Sequence, residues 1–158
     1  RYWMIACPFN IPTYEYSEPL PPALIETLLA RYHRPYHRRL TGLAGRGVVL
    51  GVDCHTMAAF GPPVGPDPGK ERPAACLSNA DGTCPDTWLA SLAYIMAKNL
   101  NAPVKINEPF KGGYIIRRHS KKIPWIQMEL SRAPFVANSE KGAAVLESLN
   151  EWRHRLPR

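Results

Sequence analysis

Apolar side chains recur at helical spacing over residues 23–40, where Leu24, Ile25, Leu28, Leu29 and Tyr32 line one side of an expected helix. Pro21 and Pro22 suit its first turn, where an amide donor is not needed, and Pro35 predicts a bend further along. The proline-rich stretch before them reads as an irregular or extended connecting arm. After the turn signal Gly45-Arg46-Gly47, the run Val48-Val49-Leu50-Gly51-Val52 has the length and branching of a buried strand. Residues 85–100 return to a helical repeat through Trp88, Leu89, Leu92, Ile95 and Met96, with Thr83 or Asp86 as expected caps. Val104-Lys105-Ile106-Asn107 alternates as a strand does, and Tyr114-Ile115-Ile116 reads as a second short strand. Trp125-Ile126-Gln127-Met128-Glu129-Leu130 also alternates, which puts Gln127 and Glu129 on one face. Residues 141–152 close the chain as a helix whose expected buried stripe is Val145, Leu146, Leu149 and Trp152. Strands interleaved with helices predict an α/β fold, a central sheet with flanking helices.

A length of 158 residues suits a single domain spanning 1–158, and 45% hydrophobic with 21% charged residues is an ordinary globular balance. No apolar run approaches the length of a membrane helix, and the opening residues lack the apolar core of a secretion signal, so a cytoplasmic location is expected. The formal charge of +7 raises a polyanion as partner. The basic residues, however, fall into separate runs at 31–39, at 117–122 and at the tail, which argues against nucleic acid and suits a small anionic substrate. Cys7, Cys54, Cys76 and Cys84 form no disulfide framework and no zinc knuckle; a Cys76–Cys84 pairing stays open. His33 and His37 are four apart, as helix-borne metal ligands are, yet Pro35 intervenes and no glutamate accompanies them, so both read as structural or surface residues.

Three polar clusters stand at expected strand ends: Asp53-Cys54-His55, Asn107 through Tyr114, and Gln127-x-Glu129 followed by Arg132. Open α/β sheets place their sites at such ends. Taken singly, each cluster has a bland reading as a hydrogen-bonded histidine or a surface ion pair. In order along the chain they resemble a family. Asp53-Cys54-His55-Thr56-Met57 resembles the D-C-H-S-M signature of the N-formylglutamate amidohydrolases, with Thr56 keeping the hydroxyl. Arg34-Pro35-Tyr36-His37 is similar to the P-Y-H before that strand, and Asp81-Gly82-Thr83-Cys84 to a shortened D-x-x-G-x-S-C stretch. Asn107-Glu108-Pro109-Phe110-Lys111-Gly112-Gly113-Tyr114 resembles N-x-P-[YF]-x-G-G-[YF], and Ile126-Gln127-Met128-Glu129-Leu130-Ser131-Arg132 resembles L-Q-[IL]-E-[IL]-[NS]-R.

The resemblance implies a zinc-carboxypeptidase-like α/β fold with a mixed sheet, incomplete at the N-terminus because the early P-H-S-G-type metal motif is not among these residues. It implies a zinc-dependent amidohydrolase that cleaves N-formyl or other N-acyl amino acids such as N-formyl-L-glutamate. His55 matches a zinc ligand, Asp53 its supporting acceptor, and Glu129 the general base. Asn107 and Arg132, with Arg117 and Arg118 as alternatives, are the expected holders of the substrate's carboxylates. Two rival expectations stand beside it: a non-catalytic fragment or diverged homologue of the fold without bound metal, and a basic binding module; the chain as given is also expected to self-associate through the sheet edge or apolar face left uncovered.

Overall fold

The computed structural model describes the backbone of residues 2–6 and all of residues 20–45, 47–63 and 67–156. Five strands form one mixed sheet in the order β1-β2-β5-β3-β4. They are β1 (Tyr2–Ala6), β2 (Val48–Met57), β3 (Ala75–Ser78), β4 (Val104–Ile106) and β5 (Trp125–Ser131). β1, β2 and β5 run parallel, β3 is antiparallel to β5, and β4 is parallel to β3. The mixed α/β expectation holds, while two of the strands went unread. Residues 2–6 of the expected arm pair as β1, and residues 7–19 of it lie outside the described residues. β3 escaped because Ala75-Cys76-Leu77-Ser78 has little β-branching; its burial comes from neighbours on either side.

Helices cover both faces. α3 (Asp86–Leu100) and α5 (Asn138–Arg153) pack on one face against Leu50, Val52, Ile126, Met128, Ala75 and Leu77. Trp152 Nε1 donates to the Trp88 carbonyl at 3.0 Å and ties the two helices together. The expected stripe of α5 holds at Leu149 and Trp152 but fails at Leu146, which is exposed; Lys141 takes an inward place instead, its Nζ donating to the carbonyls of Ser131 and Ala133. Thr83 is not a cap. It is buried, with Oγ1 2.8 Å from the Asn79 carbonyl and 2.7 Å from that of Trp125.

On the opposite face lie α2 (Arg34–Leu43) and α4 (Tyr114–His119), around Leu40, Ile116, Ile123 and Trp125. The first helical stretch is continuous: α1 (Pro22–Leu28) passes through a π-helical turn, Leu29–His33, into α2. A proline removes one helix hydrogen bond and crowds the carbonyl four residues back, and the wider turn immediately ahead of Pro35 makes room for it. The strand expected at Tyr114-Ile115-Ile116 is the start of α4. Local branching favours a strand there, but Ile116 and His119, three apart, both turn inward on a helix, and this burial overrides propensity. Cys76 and Cys84 are free thiols, and burial pushes the Cys84 thiol up to about 12. Among the described residues no helix is long and apolar enough to cross a membrane.

Gly51 sits opposite Trp125 in the β2–β5 register, and a Cβ there would fall 2.2 Å from the indole ring. Gly51→Ala is expected to destabilise the chain by about 1–3 kcal/mol, as overpacking does. Urea denaturation checks this, with Val49→Ala, at an exposed position of the same strand, as a control that loses much less.

Candidate active site

β2 and β5 are neighbours in register, with Asp53 opposite Gln127 and His55 opposite Glu129. Because strand side chains alternate, these four project from one face, away from the apolar layer under α3 and α5. β3 extends the row, setting Cys76 opposite Glu129 and Ser78 opposite Gln127. β2 runs on to Met57, so Asp53 and His55 lie within the strand and not after it.

His55 Nδ1 is 4.0 Å from Glu129 Oε1, and its Nε2 is 3.1 Å from Asp53 Oδ2. The second contact is close but poorly aligned. By strict geometry His55 Nε2 and Asp53 Oδ1 are buried without a hydrogen-bond partner among the described residues, yet the 3.1 Å approach is short enough for the imidazole and carboxylate to interact as a strained hydrogen bond as well as by charge. The Asp53 carboxylate is the main cause that raises the His55 pKa above its ordinary value; burial opposes it, and the charges of Asp53 and Glu129 add to it. Glu129 is also raised, chiefly by burial, with His55, Gln127 and Arg72 opposing. Gln127 Nε2 donates to Glu129 Oε1 at 3.0 Å, and Gln127 Oε1 accepts from the Gly113 amide at 2.8 Å. The Gly112-Gly113 pair thus lets the backbone close on the site. A Cβ at Gly112, where φ is +105°, would lie 2.5 Å from Ile116.

The remaining expected residues spread out. Asn107, at φ +55°, exchanges hydrogen bonds with Asn79: its Nδ2 donates to Asn79 Oδ1 at 3.1 Å and its Oδ1 accepts from the Asn79 amide at 3.2 Å. Arg132 is exposed beyond the end of β5, its Nη1 3.0 Å from Thr56 Oγ1. Arg117 and Arg118 are exposed on α4. Arg118 lines a separate cleft with His33 and His37.

Two contributors went unread. Arg72 is buried, makes 2.7 Å contacts from Nε and Nη2 to the Asp67 carboxylate, stacks over Phe110 at 4.9 Å, and lowers the Glu129 pKa through its charge. Asn79 is buried and donates to Asp86 Oδ1 at 2.8 Å and to the Cys84 carbonyl at 2.9 Å. Their only sequence signal was polar side chains inside turn-rich stretches, which is weak.

The unsatisfied atoms of His55 and Asp53 suit a cation, and an imidazole with a carboxylate behind it is a good zinc donor. Yet the described residues contain no group of three His, Cys, Asp or Glu side chains able to hold a metal ion. They do not complete a zinc site.

With its folded value raised above 6.5, His55 contributes stability that is complete below the unfolded value and is lost as pH rises through the folded one. Glu129, raised above 4.5, acts in the same direction from a lower pH, since folding favours its protonated form. In the metal-free chain, NMR titration is expected to place His55 above the ordinary imidazole value, and Asp53→Asn to bring it down. An unmoved His55 titration in that variant would reject Asp53 as the cause.

Residues 5–136 match the N-formylglutamate amidohydrolase family. Among solved structures, N-formylglutamate amidohydrolase from Ralstonia eutropha JMP134 superposes with a TM-score of 0.67 at 20% identity, covering 88% of this chain and 56% of that one. That is a likeness of fold, and the chain spans little more than half the length of this relative. N-acetylmuramoyl-L-alanine amidase from Clostridium difficile 630 gives a TM-score of 0.48 at 10% identity over 76% of this chain and 66% of that one, a likeness too slight to argue from. No curated protein matches the sequence. The family match covers well over half of the chain and takes in Asp53, His55 and Glu129, and on it the chain belongs to the N-formylglutamate amidohydrolase family.

Proposed function

We propose that the chain carries the hydrolytic face of an amidohydrolase acting on small anionic N-acyl amino acids, with N-formyl-L-glutamate as the first substrate to try. The observation that carries this reading is the pairing of His55 with Glu129 across adjacent parallel strands, with burial raising the carboxyl's pKa. A raised carboxyl is the better proton acceptor near neutral pH. Glu129 takes the proton of a water whose oxygen bonds to the acyl carbon. The same carboxyl then protonates the amine nitrogen as the C–N bond breaks, releasing formate and the amino acid. Gln127 holds Glu129 Oε1 in place, and Asp53 orients His55 beside it.

Zinc, the cofactor the family resemblance implies, would be held at His55 and would polarise the acyl carbonyl. The described residues supply no complete ligand set, and the proton steps above are assigned to the chain's own groups. For the substrate's carboxylates, Arg132 beside the end of β2 is the first candidate, with the exposed Arg117 of α4 as an alternative to test. Asn107 is committed to Asn79. The free thiols of Cys76 and Cys84 accord with a reducing, cytoplasmic setting.

A second reading, a metal-free and non-catalytic relative, is favoured by the absence of a three-ligand group among the described residues. Metal analysis after dialysis and a formate-release assay decide between them. The expected result is less than one zinc per chain after dialysis, formate released from N-formyl-L-glutamate only with added zinc, and a loss of at least about 100-fold in Glu129→Gln. No formate at any zinc concentration would leave the non-catalytic reading standing.

Substrate holding is tested separately. In whatever form shows activity, Arg132→Ala and Arg117→Ala are expected to raise KM by about 10-fold or more, with a smaller effect on kcat. Unchanged kinetics in both variants would remove these arginines from recognition.

A further inference from the structure

The cleft between α2 and α4 is basic throughout. It encloses about 670 Å3, and Arg34, Arg38, Arg118 and Lys122 line it without a single Asp or Glu. Arg34 is already paired with Glu26 at the outer end, a bidentate contact on the preceding turns of the helix. Arg38, Arg118 and Lys122 have no carboxylate partner among the ion pairs of the described residues. Like charges converging in a concavity repel one another, and the low-dielectric walls focus their field outward on an anion.

His37, which lines the cleft, is paired with the buried His119 behind it. His37 Nδ1 lies 2.7 Å from His119 Nε2, so one ring donates to the other and the pair shares a single proton. Burial lowers the pKa of both rings, and each is lowered further by neighbouring positive charge, including that of Arg118. His37 thus presents a polar ring to the cleft in surroundings that disfavour a further positive charge on it. Tyr114 stands edge-on to His37 at 5.5 Å, which places a phenol at the rim. Three unpaired cations, Arg38 from α2, Arg118 from α4 and Lys122 from the turn after α4, exceed what one carboxylate neutralises, and guanidinium forks match tetrahedral oxyanions.

We propose that this cleft binds a multiply charged oxyanion of the phosphate class, at a site separate from the His55–Glu129 face. The shape favours a small phosphorylated molecule, since the cations converge on a pocket and do not run on as a stripe. The site is independent of whether the chain hydrolyses amides.

Calorimetric titration of the full chain at low salt with pyrophosphate, and in parallel with a single-stranded oligonucleotide, tests it. One pyrophosphate site per chain is expected, with affinity falling about 10-fold or more in Arg38→Glu and in Lys122→Glu, and less in Arg38→Gln. Both side chains are exposed, so the thermal midpoints should stay close to that of the parent and show that lost binding is not lost folding. No binding of pyrophosphate, or unchanged affinity in folded charge-reversed variants, overturns the proposal. So does binding of the oligonucleotide alone, which would make the cleft a nucleic-acid contact. N-formyl-L-glutamate should leave pyrophosphate binding unaltered; one-for-one displacement would assign the cleft to the substrate and overturn its separateness.

Discussion

Everything on the polar face depends on the in-register parallel pairing of β2 with β5. Strand side chains alternate with a period of two, so a slip of one residue would send His55 or Glu129 into the layer packed by α3 and α5. Register is held from both directions. Val52 and Ile126 are fully buried on the apolar side, and on the other side Trp125 occupies the space that a side chain at Gly51 would need. A misregistered sheet would bury Asp53 and Glu129 among aliphatic groups and expose leucine and isoleucine to water, both costly.

The same face shows how a sheet tolerates charge. Asp53, Glu129 and Arg72 are all buried, and each has a partner that offsets its loss of water: His55 for Asp53, Gln127 for Glu129, Asp67 for Arg72. The compensation is incomplete at His55 and Asp53, where buried atoms remain without well-formed hydrogen bonds. The rise in the Glu129 pKa has the same origin, since burial outweighs the opposing charges nearby.

α2 and α4 serve two places at once. α4 begins where Gln127 holds the Gly113 amide, which links Glu129 to the helix start, and it ends on His119 against Trp125. Its outer side, with Arg118, faces the His37 end of α2 and makes the basic cleft. The basic runs at 31–39 and 117–122, separate along the sequence, are therefore partly brought together by the packing of two helices.

Much of this was legible in the residues alone. The strand at Val48, the alternation of Gln127 and Glu129, the helical repeat of α3 and the ordered motifs that mark the family all depend on local pattern, and local pattern survives folding. His55 and Glu129 were singled out by the family motifs, but the sequence put His55 just past its strand, and only the β2–β5 register sets the two opposite each other. Other features depended on contacts distant in sequence. Ala75–Ser78 became a strand only because β5 and β4 flank it, and Ile115-Ile116 became helical only because Ile116 and His119 found a common pocket against Trp125. Arg72 reached Glu129 through a loop with no periodicity to read. His33, His37 and Arg118 looked unrelated until the helices met, since the sequence by itself determines which faces are apolar and which polar, while only tertiary packing decides which polar faces are brought together.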